Sequence, residues 1–209
     1  EDDYTMDVTK IESLITDKTV AIMPVHVYGS LCDTEAIAAI ARKYSLYVLY
    51  DAAHAFGVKK DGVDAGCFGD VSMFSFHATK VFHTIEGGGV STQDDELKAA
   101  LELERNYGIL DEVTVVHPGG NAKMSEFQAA MGLCNLRHAE ENLNLRRHAV
   151  EMYNQLLSGR EDIVTPKAQE GVSSNYAYYP VLFTGGPDVR EEMCKRLLQE
   201  DIYARKYFY

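Results

Sequence analysis

The chain has 209 residues, of which 46% are hydrophobic and 25% are charged, a composition typical of a globular protein that can bury a sizeable core. Its formal net charge of -12 argues against sequence-independent binding to nucleic acid, which needs clustered Lys and Arg. This charge does not exclude a phosphorylated ligand, because backbone N–H groups can bind phosphate. No apolar run is long enough to span a bilayer. We therefore expect a chain that binds neither nucleic acid nor membrane.

The cysteines indicate a reducing compartment. The four of them are far apart in the sequence and form no C-x-x-C pair: Cys32, Cys67, Cys134 and Cys194. This spacing favours free thiols over a disulfide framework or a zinc site, and it predicts a cytoplasmic location.

The two ends of the chain suggest a fragment. The sequence starts without methionine, and its acidic first residues lack the features of a signal peptide. It stops within what reads as a structured segment. We therefore expect residues to be missing at both ends.

The first predicted elements form a βαβ unit. Residues 21–27 read as a buried strand, although Pro24 weakens that prediction. Asp33 or Thr34 can cap the helix that follows, and residues 46–50 form the next buried strand. A strand, a helix and a second strand with short connections predict two parallel strands.

The middle of the chain alternates between loops, strands and a helix. Residues 57–69 are rich in Gly and Asp and predict a loop. Residues 71–76 and 88–92 predict two more short strands. A helix should then begin at Asp94 or Asp95.

The second half of the chain is predicted to be mainly helical. Residues 109–120 are irregular, and a helical pattern from 125 to 157 should form in two pieces. Residues 176–183 alternate like a strand, and residues 188–200 form an amphipathic helix.

The long helical pattern also contains a predicted boundary between two domains. We predict a domain change near residue 150. Residues 1–150 would then be part of a large domain, and residues 151–209 part of a smaller C-terminal domain.

Two charged residues follow predicted strands and suggest a ligand site. Asp51 ends the stretch 46–51, and Lys80 lies just past the strand 71–76. Open α/β sheets bind ligands at the carboxyl ends of their strands. Burial disfavours the charged form of a lysine, and a neutral amine can condense with an aldehyde. A buried carboxylate could pair with a protonated ring nitrogen of a cofactor.

Each of these residues also has a structural interpretation. Lys80 alone would more often be a surface lysine in a salt bridge, and Asp51 could cap a helix. His54 could contact a cofactor or be a satisfied structural histidine. Ser75 could donate to a phosphate or cap the next turn. A metal site is disfavoured, because no His or Cys pair has a recognised zinc spacing.

Several spaced motifs together resemble the DegT/DnrJ/EryC1/StrS family of sugar aminotransferases. The stretches that carry the resemblance cover nearly the whole chain: 24–29 (PVHVYG), 51–57 (DAAHAFG), 66–70 (GCFGD), 72–80 (SMFSFHATK), 86–88 (EGG), 120–126 (GNAKMSE), 128–130 (QAA), 175–176 (NY) and 179–180 (YP). The resemblance implies an α/β fold of type I pyridoxal-phosphate enzymes. A three-layer α/β/α large domain with a mostly parallel sheet would precede a partial α+β small domain.

The resemblance also implies roles for individual residues. Lys80 would hold pyridoxal 5'-phosphate covalently and then carry protons, and Asp51 would pair with the pyridine nitrogen. His54 takes the position of a Gln or His that touches the cofactor ring, and Ser75 would bind the cofactor phosphate. Asn121 would reach the phosphate in the neighbouring subunit, which implies a homodimer with shared active sites.

The implied activity is amino transfer from an amino acid, usually L-glutamate, to a nucleotide-linked keto-sugar. The region around Lys80 is most similar to members that act on dTDP-linked 4-keto-6-deoxy sugars, in amino-sugar and surface-polysaccharide biosynthesis. Two alternatives stay open: a sugar dehydratase of the same family, which Lys80 disfavours because dehydratases carry histidine there, and a non-catalytic regulator on the same scaffold.

Overall fold

The computed structural model describes residues 4–207. In chain order the elements are α1 (Val8–Leu14), β1 (Ala21–Ile22), α2 (Thr34–Tyr44), β2 (Tyr47–Asp51), β3 (Lys59–Lys60), β4 (Val63–Asp64), β5 (Val71–Ser75), β6 (Gly88–Ser91), α3 (Asp95–Arg105), α4 (Glu126–Leu136), α5 (Ala139–Leu156), β7 (Ile163–Val164), β8 (Val172–Ser173), β9 (Leu182–Phe183) and α6 (Pro187–Gln199).

A four-stranded, mostly parallel sheet organises the first half of the chain. Its strand order is β1-β2-β5-β6. The first three strands are parallel, and β6 returns antiparallel to β5. In the β2–β5 pair Asp51 lies opposite Met73, so both strands end at the same edge of the sheet. The predicted α/β class with a mostly parallel sheet is therefore confirmed.

One face of this sheet packs against α1 and α2. Alternate residues of β2 are buried, because successive side chains of a strand point to opposite faces. Val48 and Tyr50 pack with Ile11 of α1 and with Ile37 and Ala41 of α2. Helix α2 begins at the predicted cap, where the Asp33 carboxylate accepts a hydrogen bond from the Ala36 N–H.

The C-terminal part of the chain returns to this core. Strand β8 pairs antiparallel with β3 and extends a three-stranded sheet. The Gln169 side chain accepts a hydrogen bond from the Leu31 N–H and donates one to the Leu31 carbonyl. Val172 packs against a buried cluster that includes Leu31 and Val58. Residues after α5 therefore contribute directly to the surroundings of the main sheet.

Most predicted elements are confirmed within a residue or two. The helix predicted after Asp94 forms as α3, and the Asp94 side chain accepts hydrogen bonds from two N–H groups of its first turn. The long helical pattern forms two helices, α4 and α5, and Ser125 starts the first of them with a capping box. Helix α6 matches the predicted amphipathic helix.

The predictions for residues 21–27 and 57–69 were wrong in part. Strand β1 ends at Ile22 instead of residue 27, since Pro24 has no N–H for a ladder. Residues 57–69 contain a hairpin, β3–β4, in addition to loops. Asp61 and Gly62 make its turn with positive φ angles, and Asp-Gly is a strong hairpin signal that the loop prediction overlooked.

The strand predicted over residues 176–183 is also wrong for most of its length. Only Leu182–Phe183 is a strand. Tyr176 has a φ of 52°, which is incompatible with extended backbone, and Pro180 lacks a donor. Side chains of this segment instead contact a loop and a helix: Tyr178 packs on His54, and Tyr179 stacks on Tyr153 of α5.

Among residues 4–207, none of the helices combines the length and the apolar content needed to cross a bilayer. The same described part of the chain contains no group of three or more His, Cys, Asp or Glu side chains placed to hold a metal ion.

A buried histidine packs beside the core tyrosine. The His26 ring is fully buried and stacks on Tyr50 with centroids 4.5 Å apart. Its Nδ1 accepts a hydrogen bond from the Cys32 N–H at 3.1 Å, and its Nε2 has no hydrogen-bond partner among the described residues. Burial lowers the pKa of His26 to about 4, against the opposing attraction of Asp51.

Gly69 should be intolerant of a side chain. Its φ is 69°, and an added Cβ would lie 2.8 Å from the Val48 carbonyl oxygen and 2.9 Å from the Tyr50 ring. We expect Gly69→Ala to lower the free energy of unfolding by about 3 kcal/mol, because strain and overpacking add. Gly62→Ala is the control, since that position has a φ of 82° and nothing within 4 Å; it should cost about 1 kcal/mol. Urea denaturation measures both values, and an equal loss of unfolding free energy in the two variants would contradict the prediction.

His26 should make the protein less stable in acid. Unfolded histidine binds a proton below a pH of about 6.5, whereas folded His26 stays neutral down to about pH 4. The unfolded state therefore binds more protons in this window, and stability falls as the pH is lowered through it, by at most about 3 kcal/mol. Urea denaturation at several pH values measures the effect.

His26→Asn separates this group from the other titrating residues. Asn keeps an acceptor for the Cys32 N–H but cannot be protonated, so the loss of stability between pH 6.5 and 4 should shrink. His148→Asn is the control, because that side chain is 78% exposed and should leave the pH dependence as it was. If both variants show the wild-type slope, His26 does not carry the effect.

Candidate active site

Asp51 lies at the centre of the site because its backbone joins three segments. Its N–H donates to the Pro24 carbonyl, and its own carbonyl accepts from the His26 N–H at 2.9 Å. The next residue, Ala52, donates to the Met73 carbonyl of β5. The carboxylate accepts a hydrogen bond from the Ala53 N–H at 2.9 Å. The end of β2 therefore presents a carboxylate of fixed orientation at the sheet edge.

His54 follows three residues later and is half-buried. Its Nδ1 accepts a hydrogen bond from the Tyr28 N–H at 3.1 Å, and its Nε2 lies 3.4 Å from the Tyr178 hydroxyl. The pKa of His54 is lowered, first by burial and then by the positive charge of Lys80, while Asp51 acts in the opposite direction. Both charged residues are therefore close enough to His54 to act on the same ring.

Lys80 lies beyond the end of β5, after a turn in which its N–H donates to the His77 carbonyl. Within residues 4–207, no carboxylate forms a salt bridge with its ammonium group. Lys80 lines a narrow pocket together with Thr79, His54 and Tyr178. The surface-salt-bridge interpretation of Lys80 is thus not supported in the described part of the chain.

The enclosed part of this pocket is small, about 10 Å³. That is room for about one water molecule, so a pyridoxal ring needs the open side of the pocket. The chemistry of the side chains fits the cofactor nevertheless. An amine, a carboxylate and an uncharged imidazole act on one another at a single sheet edge, and a serine hydroxyl ends the neighbouring strand.

Ser75 is the last residue of β5 and lies near the same edge. Its hydroxyl oxygen accepts a hydrogen bond from the His77 N–H at 3.4 Å, which leaves its proton able to bond elsewhere. The hydroxyl is therefore available as a donor next to the turn that carries Lys80.

Asn121 lies outside this cluster. It is exposed and forms an isolated antiparallel bridge with Asn106. It does not line the pocket beside Lys80. The structure of the single chain thus brings together four of the five predicted site residues and leaves the fifth on the surface.

Sequence reasoning missed three residues that contact the site. Tyr28 supplies the N–H that binds His54, and Tyr178 lies against the His54 ring with centroids 4.6 Å apart. Asn175 is buried, and its amide donates to the carbonyls of His54 and Phe56 at 2.7 and 2.9 Å. Tyr28 and Asn175 belong to motifs that we quoted for the resemblance, and Tyr178 lies between two of them; only the positions of these residues in space indicate the contacts.

Comparison with known proteins identifies relatives over the whole chain. The family model of the DegT/DnrJ/EryC1/StrS aminotransferases matches residues 1–209. A dTDP-4-amino-4,6-dideoxy-D-glucose transaminase of Shigella dysenteriae is 46% identical over 203 residues, which are 96% of this chain and 55% of that protein. The chain therefore spans about half the length of the curated relatives it matches.

Solved structures give the same result. DesI, crystallised in the presence of its TDP-sugar product, is 32% identical with a TM-score of 0.90, over 98% of this chain and 53% of DesI. Spr1654 of Streptococcus pneumoniae, solved in PLP and PMP forms, is 25% identical with a TM-score of 0.92; the match to its PLP form covers 99% of this chain and 59% of Spr1654. The family depends on pyridoxal phosphate. This chain belongs to the DegT/DnrJ/EryC1/StrS aminotransferase family.

Proposed function

We propose that the protein containing this chain is a pyridoxal-phosphate-dependent aminotransferase. It would move an amino group from an amino acid, with L-glutamate as donor, to a nucleotide-linked keto-sugar. The single observation that supports this most directly is that Lys80 and His54 line one pocket, just past the end of β2, where the Asp51 carboxylate lies. An amine, an imidazole and a carboxylate thus occur together where β2 and β5 end.

Asp51 and Lys80 would divide the chemistry between them. The Asp51 carboxylate, oriented by the Ala53 N–H, would keep the cofactor's ring nitrogen protonated. Bound pyridoxal phosphate then supplies an electron-withdrawing ring that stabilises a carbanion. The Lys80 amine would hold the cofactor and carry protons to and from the reacting carbon.

Ser75 and His54 would fix the cofactor's position. The Ser75 hydroxyl, at the end of β5, would donate to the phosphate. His54 would contact the cofactor ring through the side of the imidazole that carries Nε2. Because the net charge is -12, the overall electrostatic potential does not attract an anionic phosphate. Local hydrogen-bond donors would therefore have to bind it.

The substrate we propose is a dTDP-linked 4-keto-6-deoxyhexose, in amino-sugar or surface-polysaccharide biosynthesis. The support is the name of the Shigella dysenteriae relative, a dTDP-4-amino-4,6-dideoxy-D-glucose transaminase that is 46% identical to this chain. The TDP-sugar product named for DesI agrees with it.

We also propose that the active unit is a homodimer in which Asn121 completes the site of the partner subunit. Asn121 lies within a segment whose apolar side chains are exposed in the single chain, with Val113 at 92% and Phe127 at 87%. Contiguous exposed apolar surface marks interaction sites. A second copy that covered this segment would bring Asn121 close to a site outside its own chain.

Two further parts of the proposal concern organisation. We place the boundary between a large domain, residues 1–150, and a small domain, residues 151–209, within helix α5. We also keep a cytoplasmic location, which the dispersed thiols favour.

Lys80→Ala should remove the covalent attachment of the cofactor in the full-length protein. We expect amino transfer to fall by at least roughly 10²–10⁴-fold, because the proton carrier is lost as well. Borohydride reduction followed by mass spectrometry should place one cofactor mass on Lys80 in the wild type and none in the variant. Lys18→Ala, an exposed surface change, is the control. Attachment that survives in Lys80→Ala would contradict the proposal.

Asn121→Ala should weaken cofactor binding about tenfold, since a hydrogen bond to a charged group is lost. Titration of the apoprotein, followed by absorbance, measures this. The thermal midpoint should stay that of the wild type, because the side chain is exposed. Asn142→Ala, also exposed, should change neither quantity.

Mixed dimers test whether Asn121 acts across the interface. Subunits with Lys80→Ala and subunits with Asn121→Ala, refolded together at limiting cofactor, should form dimers with one intact site and regain activity. If Asn121 acts within its own chain, mixing gives no more than the sum of the two separate variants.

A further inference from the structure

A turn with left-handed backbone conformation, at Tyr28 and Gly29, contacts His54. Tyr28 has φ and ψ angles of 59° and 9°, and Gly29 follows with a φ of 87°. Residues with a Cβ rarely adopt this conformation outside sites that need it. Its effect here is to aim the Tyr28 N–H at the His54 ring, where it donates to Nδ1 at 3.1 Å.

This hydrogen bond decides where the proton of a neutral His54 lies. A backbone N–H can only donate, so Nδ1 must present its lone pair, and the single ring proton must be on Nε2. Nε2 faces Tyr178 at 3.4 Å, and both rings line the pocket of Lys80. The imidazole therefore presents an N–H donor, without a full positive charge, on the side of the site.

The turn and the histidine are held in place by one buried side chain. The Asn175 amide donates to the His54 carbonyl at 2.7 Å. A Cβ added to Gly29 would lie 2.7 Å from the Asn175 Oδ1 and 3.1 Å from the His54 carbonyl oxygen. The close packing leaves little freedom for the Tyr28 N–H to turn away from the ring.

We propose that the backbone N–H of Tyr28 is a positioning group that locks His54 in the Nε2–H tautomer, an uncharged donor within the pocket where Lys80 would hold its ligand. The inference rests on the proposed function for the identity of that ligand. The lock itself belongs to the protein alone and can be observed without cofactor or substrate. The two can therefore fail separately.

The acceptor-and-donor pattern also predicts which side chains can replace His54. A glutamine can accept from the Tyr28 N–H through its carbonyl oxygen and donate through its amide nitrogen. A glutamate of the same shape accepts at both oxygens and brings a negative charge.

Nitrogen-15 NMR of the cofactor-free, full-length protein with labelled histidine tests the tautomer. His54→Gln identifies the His54 signals by their loss. We expect Nε2 to resonate as a protonated nitrogen and Nδ1 as an unprotonated one across neutral pH. Protonated Nδ1 in the wild type would overturn the proposal.

Replacing the amide of Tyr28 by an ester, with the α-hydroxy acid analogue of tyrosine, removes only the donor. The tautomers should then mix, and the pKa of His54 should rise, because the lost bond favoured the neutral ring. Tyr28→Gly is the matched control: it keeps the N–H and tolerates the positive φ, and should preserve the Nε2–H tautomer. An unchanged tautomer in the ester would also overturn the proposal.

Cofactor affinity gives a second measurement if the ester protein does not fold. Titrated with pyridoxal phosphate, His54→Gln should lose less affinity than His54→Glu, by at least about tenfold. Equal losses would mean that the acceptor-and-donor pattern at this position is not what the site requires. Intact tautomer signals combined with no amino transfer on any keto-sugar would instead reject the proposed function and leave the lock standing.

Discussion

The parallel pairing of β2 with β5 is the constraint on which the site depends. Because parallel strands end at the same edge, this register puts Asp51 and Ser75 at one rim. The turn after β5 then carries Lys80 toward the same place. The Asp51 N–H donates to the Pro24 carbonyl, and the His26 N–H donates to the Asp51 carbonyl, so the ordered edge extends to the next segment. The sheet therefore fixes the positions of Asp51 and Ser75, and the segments that follow β2 and β5 add His54 and Lys80.

The C-terminal part of the chain adds the second constraint. Asn175 is buried and uses its amide on the carbonyls of His54 and Phe56, so the loop after β2 gains partners for groups that would otherwise be costly to bury. Tyr178, three residues on, then lies against His54. A movement of residues 175–178 should therefore change the position of His54 and of the loop after β2, although the two segments are about 120 residues apart in sequence.

Local sequence patterns predicted most helices and strands, whereas contacts between residues that are distant in sequence could not be predicted from them. Asp33, Asp94 and Ser125 are helix caps that can be read directly, because capping is a local interaction. Residues 176–183 alternate like a strand in the sequence, yet Asn175 and Tyr178 contact carbonyl and side-chain groups of the distant loop after β2. No period in the sequence reports such a contact. Lys80, Asp51, His54 and Ser75 were predicted as candidates, but the tautomer of His54 depends on a backbone N–H whose direction only coordinates reveal.

The two histidines near Asp51 show how the site controls charge. Burial lowers the pKa of both His26 and His54, which favours the neutral form of both rings at neutral pH. A protonated histidine beside Asp51 would compete with a cofactor nitrogen for the carboxylate. A protonated histidine beside Lys80 would repel the lysine ammonium group. Each ring instead accepts a backbone N–H at Nδ1, from Cys32 in one case and Tyr28 in the other. In both cases the backbone N–H makes Nδ1 an acceptor, which, like burial, favours the neutral form of the imidazole.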